Sequence, residues 1–337
     1  MFCKGCGVLC AVIVLTIIAS TTALGVTPAE IVSRVSQANY TDILNNQLYT
    51  HMGDNRSVKG GAQHDPAAAN IFISLRRDGL TTRYDPFTYT TAGTTYNCNN
   101  VIAIKQGTTN PDDIYIVGGH YDSTGYAGAD DDASGVAGVL EAARVLSQCD
   151  FASTIVFCAF DCEEWGLYGS AHMAADYASA NIKAMVSLDM ISWNMPSKPN
   201  QALLYGNSSD IKQALGSAIS SYSNGITWSD GGDWAASDQY PFENRGFSAC
   251  WLYEAQKTGN TSIHGSNDNV DRADGYIDYA YATNLTRGFV GYMATAAGYI
   301  GPSVSVPEPG SVLALALGLG CLVRYARRRR SATASRR

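Results

Sequence analysis

Two histidines and several acids in this chain are of the types that bind metal ions. His120 lies in GGHYDSTGYAGADDDASG, a segment from Gly118 to Gly135 that carries three consecutive aspartates. Imidazole nitrogens and carboxylate oxygens are common ligands of zinc. A carboxylate can also bridge two cations, and Asp131, in the middle of the aspartate triplet, is the predicted bridge. The candidate two-metal set is His120, Asp131, Glu164, Asp189 and His264.

The adjacent acids Glu163 and Glu164 are predicted to have two different roles. Glutamate pairs are common on solvated surfaces, but this pair follows an apolar run in AFDCEEWGLYGS, and that position favours a functional role. One member of such a pair can bind metal while the other accepts a proton from water as a general base. Asp122 follows His120 by two positions, so in a strand both side chains would face the same way. Asp122 is therefore expected to orient the His120 ring.

Strands and helices that alternate after residue 100 would bring these residues together. Strands are predicted at 101–106, 114–122, 154–161, 184–192, 202–206 and 249–255, and helices near 133–148, 167–179, 208–222 and 277–298. This alternation predicts an α/β fold with a mostly parallel sheet covered on both faces. Ligands of such sheets bind at the carboxyl ends of the strands, where His120 and the acids fall.

The segment before residue 97 has a different pattern. Apolar spacing predicts helices between residues 31 and 48 and at 65–77, followed by a polar connector. Three polar side chains in this segment, Asp54, Arg56 and His64, are predicted to be solvated loop residues.

Composition predicts a globular, acidic protein. The chain has 337 residues, of which 46% are hydrophobic and 16% charged, so it can bury a sizeable core. The net charge of -7 and the lack of a basic stripe in the body argue against a nucleic-acid partner.

The N-terminus has the order of a secretory signal peptide. Lys4 precedes an apolar run at 8–18 and small residues that end near Gly25, so residues 1–25 are the predicted leader. The body, 26–300, holds five cysteines, and export permits disulfides. Because five is odd, at least one body cysteine is expected to be unpaired or to pair with another chain.

The C-terminal residues 301–337 combine a SVSVPEP segment, a short apolar run and the basic ending RYARRRR. This order resembles the PEP-CTERM sorting signal of exported bacterial proteins, through Val306, Pro307, Glu308 and Pro309. The resemblance implies recognition and removal by an exosortase at the cell envelope. The apolar run is expected to form a short transmembrane segment. Because it is shorter than the roughly 17–25 residues of a comfortable transmembrane helix and would be removed with the tail, its membrane association is expected to be transient.

The motifs GGHYDST, GADDDASG, FDCEEWGLYGS, SLDM and IHGSNDNVD resemble, in order and spacing, the co-catalytic zinc aminopeptidases of the bacterial leucine aminopeptidase type. The resemblance spans about 31–299 and implies a three-layer α/β/α fold with a mixed, mainly parallel sheet and two zinc ions. It implies Asp131 as the bridge, His120 and Asp189 on one zinc, Glu164 and His264 on the other, Glu163 as general base, and Asp122 and Asp268 as supporting residues.

The implied function is removal of N-terminal residues from peptides by a secreted enzyme. One departure is Gln239, which stands where many relatives have the histidine of a Ser-Asp-His sequence; glutamine cannot titrate, so substrate specificity is open. Glutaminyl cyclases, which share this fold but use one zinc, are an alternative, as are carboxypeptidase-like specificity and a non-catalytic envelope protein.

Overall fold

An eight-stranded sheet forms the centre of the computed structural model, which describes residues 27–255 and 259–303. The strands are β1 (Thr81–Thr91), β2 (Thr94–Lys105), β3 (Asn110–His120), β5 (Ser153–Phe160), β6 (Asn181–Leu188), β7 (Gln201–Tyr205), β8 (Thr227–Gly232) and β9 (Ala249–Glu254). A small second sheet pairs β4 (Cys149–Phe151) with β10 (Tyr299–Pro302). The predicted leader and all but the first residues of the predicted tail lie outside the described residues.

The large sheet is mixed and mainly parallel, as predicted. Its strand order is β1-β2-β5-β3-β6-β9-β7-β8. The pairs β5/β3, β3/β6, β6/β9 and β7/β8 are parallel, and the pairs β1/β2, β2/β5 and β9/β7 are antiparallel. The parallel centre aligns the carboxyl ends of β5, β3, β6 and β9 at one edge.

Helices cover both faces of the sheet, so the three-layer prediction is confirmed. The helices are α1 (Pro28–Val32), α2 (Gln37–Asp42), α3 (His64–Arg77), α4 (Ala133–Leu146), α5 (Tyr168–Asp176), α6 (Ser209–Tyr222), α7 (Gln239–Glu243) and α8 (Tyr279–Ala296), with a π-helical turn at Ile43–Gln47. The larger core packs α4, α6 and α8 against one face, and α5 and α7 contribute Met173 and Phe242 to the smaller core on the other.

Helix α4 begins unusually close to the end of β6. Its N-cap is Asp132, whose side chain accepts a hydrogen bond from the Gly135 backbone N–H at 2.8 Å. A Cβ atom at position 135 would lie 2.0 Å from the Leu188 carbonyl oxygen, so only glycine permits this approach. The contact places the aspartate triplet beside the carboxyl ends of β3 and β6.

The prediction of a polar connector before residue 97 is wrong. Strand β1 and the first part of β2 occupy it as a long antiparallel hairpin, paired from Thr81 with Ile104 to Thr91 with Thr94. Most β1 side chains are exposed or half-buried, so the hydrophobic alternation that marks a strand is weak there. The short elements α7, β4, β8 and β10 were also not predicted.

No helix within the described residues is both long enough and apolar enough to cross a membrane. The apolar run of the predicted sorting tail lies outside those residues.

Candidate metal centre

The predicted ligands converge at the carboxyl edge of the parallel strands. His120 ends β3, Glu163 and Glu164 follow β5, Asp189 follows β6, Asp131 precedes α4, and His264 lies in the loop after β9. Strand ends that are distant in sequence are neighbours here because β5, β3, β6 and β9 run parallel side by side.

Asp131 lies between two imidazoles. Its Oδ1 atom is 3.2 Å from His120 Nε2, and its Oδ2 atom is 3.0 Å from His264 Nε2. Glu164 Oε2 lies 3.1 Å from His264 Nε2, and Asp189 Oδ1 lies 3.8 Å from His120 Nε2. Each oxygen of the Asp131 carboxylate thus faces a different histidine, and each histidine has another carboxylate beside it.

The donor set fits zinc. His120, Asp131 and Glu164 offer ligand atoms within 4.8 Å of one another, as do His120, Glu163 and Asp189. These are nitrogen and oxygen donors of the kinds that zinc takes in open, catalytic sites. Glu163, whose Oε2 atom is 3.8 Å from His120 Nε2, therefore lies at the edge of the ligand cluster.

The acids of the cluster raise the pKa of both histidines. Burial lowers the pKa of His120, but the charge of Glu163 and the carboxylates of Asp122 and Asp131 beside its ring raise it well above its ordinary value. Hydrogen bonds with Asp131 and Glu164 raise the pKa of His264 to about 10. Both shifts favour the protonated imidazoles, and bound metal would supply positive charge in their place.

Asp122 connects His120 to the glutamate pair. Its Oδ1 atom faces His120 Nδ1 at 3.5 Å, longer than an ordinary hydrogen bond, and accepts the Glu163 backbone N–H at 3.0 Å. This completely buried carboxylate is thus placed to orient both the ring and the start of the glutamate loop.

The neighbours of Asp131 bind main-chain groups and not the cluster. Asp132 accepts the backbone N–H groups of His120 at 3.1 Å and Met190 at 3.1 Å, in addition to its helix cap. Asp130 accepts the Ser192 N–H at 2.9 Å. The triplet therefore ties together β3, α4 and the segment after β6.

Asp268 supports the same loop from another direction. Its two oxygens accept the backbone N–H groups of Asp130 at 2.7 Å and Asp131 at 3.1 Å, and the residue is 1% exposed. These two hydrogen bonds position the main chain of the loop that carries Asp131.

The prediction that Arg56 and His64 are solvated is wrong. Arg56 is completely buried, and its guanidinium donates to the carbonyls of Leu48, Tyr49, Tyr121, Ala127 and Gly128. His64 Nε2 lies 2.8 Å from Asp161 Oδ1, just before the glutamate pair. Asp54 is partly exposed in its loop.

A cavity of about 380 Å³ opens beside the cluster. Its apolar wall consists of Leu167, Met190, Trp234, Trp251, Tyr253 and Ile263. Gln239, which departs from the resembled family, is buried and donates from Nε2 to the Trp234 carbonyl at 2.7 Å. It therefore supports the wall of the cavity, and its side chain does not titrate there.

A comparison with family models gives two matches. The model of peptidase family M28 matches residues 100–285, which is more than half of the chain. The chain belongs to peptidase family M28. The PEP-CTERM protein-sorting motif matches residues 305–330, so the resemblance of the tail is confirmed as well. The peptidase family that the motifs resemble is thus confirmed.

Curated relatives match a shorter segment. A probable zinc metalloprotease of Pyrenophora tritici-repentis is 44% identical over 106 residues, which cover 28% of this chain and 24% of the relative. One from Pyricularia oryzae is 45% identical over 104 residues, which cover 28% and 21%. The chain spans about a quarter of the length of the curated relatives that it matches.

Solved structures share the fold at low sequence identity. An aminopeptidase from Aneurinibacillus sp. strain AM-1 has a TM-score of 0.70 at 18% identity, over 84% of this chain and 99% of that chain. The zinc aminopeptidase BSAP from Bacillus subtilis has a TM-score of 0.68 at 15% identity, over 78% and 96%. Porphyromonas gingivalis glutaminyl cyclase has a TM-score of 0.65 at 20% identity, over 78% and 99%.

Proposed function

We propose that this chain is an exported two-zinc aminopeptidase that removes N-terminal residues from peptides. The observation that carries the proposal is Asp131, whose two carboxylate oxygens lie 3.2 Å and 3.0 Å from the Nε2 atoms of two different histidines. A carboxylate in that position suits two cations about 3.5–4 Å apart. His120 and Asp189 would hold one ion, and Glu164 and His264 the other.

Glu163 is the proposed general base. Bound zinc would supply Lewis acidity, which polarises a peptide carbonyl and lowers the pKa of water. Glu163 accepts the proton of the attacking water and delivers it to the leaving amine. Burial raises the pKa of Glu163 well above its ordinary value, and bound zinc would lower it and so keep the carboxylate able to accept that proton. Asp122 accepts a hydrogen bond from the Glu163 backbone N–H and so fixes the position of the Glu163 main chain.

The cavity supports a substrate with an apolar first residue. Its wall of aromatic and aliphatic side chains would take the first side chain out of water. Acids of the cluster line the same cavity and would attract the cationic α-amine of a free N-terminus. An acetylated N-terminus lacks that charge, so it should be a poor substrate.

The two ends of the chain support action outside the cytoplasm. A leader at 1–25 would direct export, and the sorting motif at 305–330 would direct removal of the tail by an exosortase. The body, 26–300, would then act at the cell envelope or in the medium.

A hydrolysis screen with zinc restored tests the reaction. Peptides with a free apolar N-terminus should be cleaved one residue at a time, and their N-acetylated forms should not. Release of C-terminal residues would contradict the proposal. Cyclisation of N-terminal glutamine with one zinc per chain would establish the cyclase alternative, and zinc-free, inactive protein would favour a non-catalytic role.

A matched pair of variants tests the two glutamates. Glu163→Gln removes the proton acceptor at nearly constant size, so kcat should fall roughly 10²- to 10⁴-fold while zinc content stays at that of the parent. Glu164→Gln weakens a ligand, so zinc loss should come first. Zinc loss in the Glu163 variant with retention in the Glu164 variant would reverse the assignment, and full activity in both would refute the mechanism.

A further inference from the structure

Two buried cysteines meet directly beneath the glutamate pair. The Sγ atoms of Cys98 and Cys162 are 2.8 Å apart, and both residues are completely buried. Cys162 immediately precedes Glu163, and its positive φ of 58° turns the chain out of β5 into the loop that carries both glutamates. The thiol pair therefore lies at the start of the candidate catalytic loop.

The two cysteines lie just beyond the paired residues of β2 and β5. In the antiparallel pair β2/β5, Val101 lies opposite Ala159. Cys98 lies three residues before Val101, and Cys162 lies three residues after Ala159, so both lie beyond the same end of this pairing. The distance of 2.8 Å between the two Sγ atoms shows that the side chains face each other there. A disulfide bond of about 2.0 Å therefore requires only a small further approach of the two sulfur atoms.

A metal ion does not account for the pair. Two thiolates on one tetrahedral zinc, each about 2.3 Å from it, would be roughly 3.7 Å apart. Asp161, the nearest acid, is already occupied, because it accepts the N–H groups of Cys162 at 2.8 Å and Asn99 at 2.9 Å and pairs with His64. The sulfur atoms are thus too close for shared ligation, and the third potential ligand is already in use.

The surroundings of the pair would transmit a covalent link to the loop. Tyr89 and the two cysteines form a small buried cluster, against which Trp165 and Val58 pack. Trp165 follows the glutamate pair directly, and Lys59 Nζ lies 3.4 Å from the centre of a ring of its indole. A bond at position 162 would therefore fix one side of the loop, and this packing would hold the other.

We infer that Cys98 and Cys162 form a disulfide in the exported protein and that this bond holds the glutamate loop in its ligand-binding position. In an oxidising compartment, one cysteine as thiolate attacks the disulfide of an oxidised carrier protein and forms a mixed disulfide. The other cysteine thiolate then displaces the carrier sulfur. Two electrons and two protons pass to the carrier, which leaves as a dithiol. Because both sulfurs are buried, the exchange takes place before the domain has closed.

The assay is intact-mass measurement and peptide mapping of full-length protein exported to an oxidising compartment. Denaturation without reductant, followed by alkylation, should label Cys149, Cys158 and Cys250, and Cys321 where the tail is retained, and leave Cys98 and Cys162 unlabelled. The two should appear in one linked peptide, two hydrogen atoms lighter than the reduced pair. Alkylation of both Cys98 and Cys162 in that sample, or a link from either to another cysteine, would overturn the inference.

Variants test the effect on the loop. Cys98→Ser, Cys162→Ser and the double change should each lower Tm by roughly 4–10 °C, because the same bond is lost. Each should also weaken zinc binding at least several-fold. Cys158 is another buried thiol on a central strand, so Cys158→Ser is the control for placing a hydroxyl in the core. This variant keeps Cys98 and Cys162, so reductant should lower its Tm as it lowers that of the parent. Equal zinc affinity in oxidised and reduced parent protein would refute the role assigned to the bond.

The disulfide itself does not depend on the proposed function, whereas its role in holding the ligand loop rests on the proposed zinc site. Linked peptides can be found in a protein without peptidase activity, and a peptidase can be active with both thiols free. The mass measurement and the hydrolysis screen therefore fail or succeed separately.

Discussion

Replacement of Arg56 by methionine should destabilise the protein strongly, because this buried guanidinium donates hydrogen bonds to five main-chain carbonyls. Methionine preserves much of the apolar stem but leaves the carbonyls of residues 48, 49, 121, 127 and 128 without this donor. Each buried acceptor without a donor costs about 1–3 kcal/mol. The desolvation of the charged group, which disappears with it, offsets part of that cost.

The expected net loss is about 3–5 kcal/mol, the usual cost of removing one member of a buried charged network. A chain with about 270 described residues has an unfolding entropy of roughly 0.6 kcal/mol per kelvin. Tm should therefore fall by about 5–9 °C. Arg56→Lys keeps the charge but offers only three N–H groups, so its loss should be intermediate.

Urea denaturation, followed by tryptophan fluorescence with and without zinc, measures this loss. Arg76→Met is the matched control, because Arg76 is exposed in the last turn of α3 and should change stability by less than about 0.5 kcal/mol. Zinc affinity should fall in the Arg56 variant, since three of the carbonyls that it holds, those of residues 121, 127 and 128, belong to the loop leading to Asp131. An Arg56→Met protein as stable as the control would refute the reasoning.

Removal of zinc by a chelator should abolish hydrolysis and lower Tm, and added zinc should restore both; full activity without metal would contradict the metal's role. In metal-free protein, burial raises the pKa of Asp189 to about 8 and of Glu164 to about 7. Folding then takes up protons, so the free energy of unfolding should fall as pH rises toward 8. Zinc requires deprotonated ligands, so the Tm gained with zinc should grow over that range, and a constant gain would contradict these values. Mature protein from the native host should end near Pro309, and mass spectrometry that finds Arg327 to Arg330 on released protein would refute processing of the tail.

The convergence of the proposed metal ligands was predictable in part, because His120, Glu164 and Asp189 each end an apolar run or follow one closely. Parallel strands bring their carboxyl ends to one edge, so the order of strand and acid along the chain was sufficient to place Asp131, Glu164 and Asp189 near His120. His264 lies in the loop after β9, the last strand of the large sheet along the chain. Its role as a ligand was also expected from the family resemblance.

The partners of Arg56 and His64 were not predictable in the same way. Arg56 binds main-chain carbonyls, which every residue has, so no side-chain pattern reveals the contact. His64 meets Asp161 across 97 positions of the chain. A polar loop that folds inward to serve a buried site has the same composition as one that stays in solvent.

The missed β1–β2 hairpin has a local physical cause. Its turn is Ala92-Gly93, and both residues have positive φ, 47° and 79°. Two-residue hairpin turns of that kind usually carry asparagine or aspartate at the first position, where alanine gives no signal. Most of β1 and the first four residues of β2 are exposed or half-buried, so the second indication of a hairpin, alternation of apolar and polar residues, was also weak.

The aspartate triplet limits what an alanine scan scored by turnover can reveal. Asp130 and Asp132 bind main-chain N–H groups from three parts of the chain, while only Asp131 faces the imidazoles. Truncation of any of the three would misplace the same loop, so all would register as inactive. The turnover rate alone would not distinguish a metal ligand from a residue that positions the loop. The free energy of unfolding of the metal-free variants separates them, because Asp130 and Asp132 hold main-chain N–H groups, whereas Asp131 faces the imidazoles.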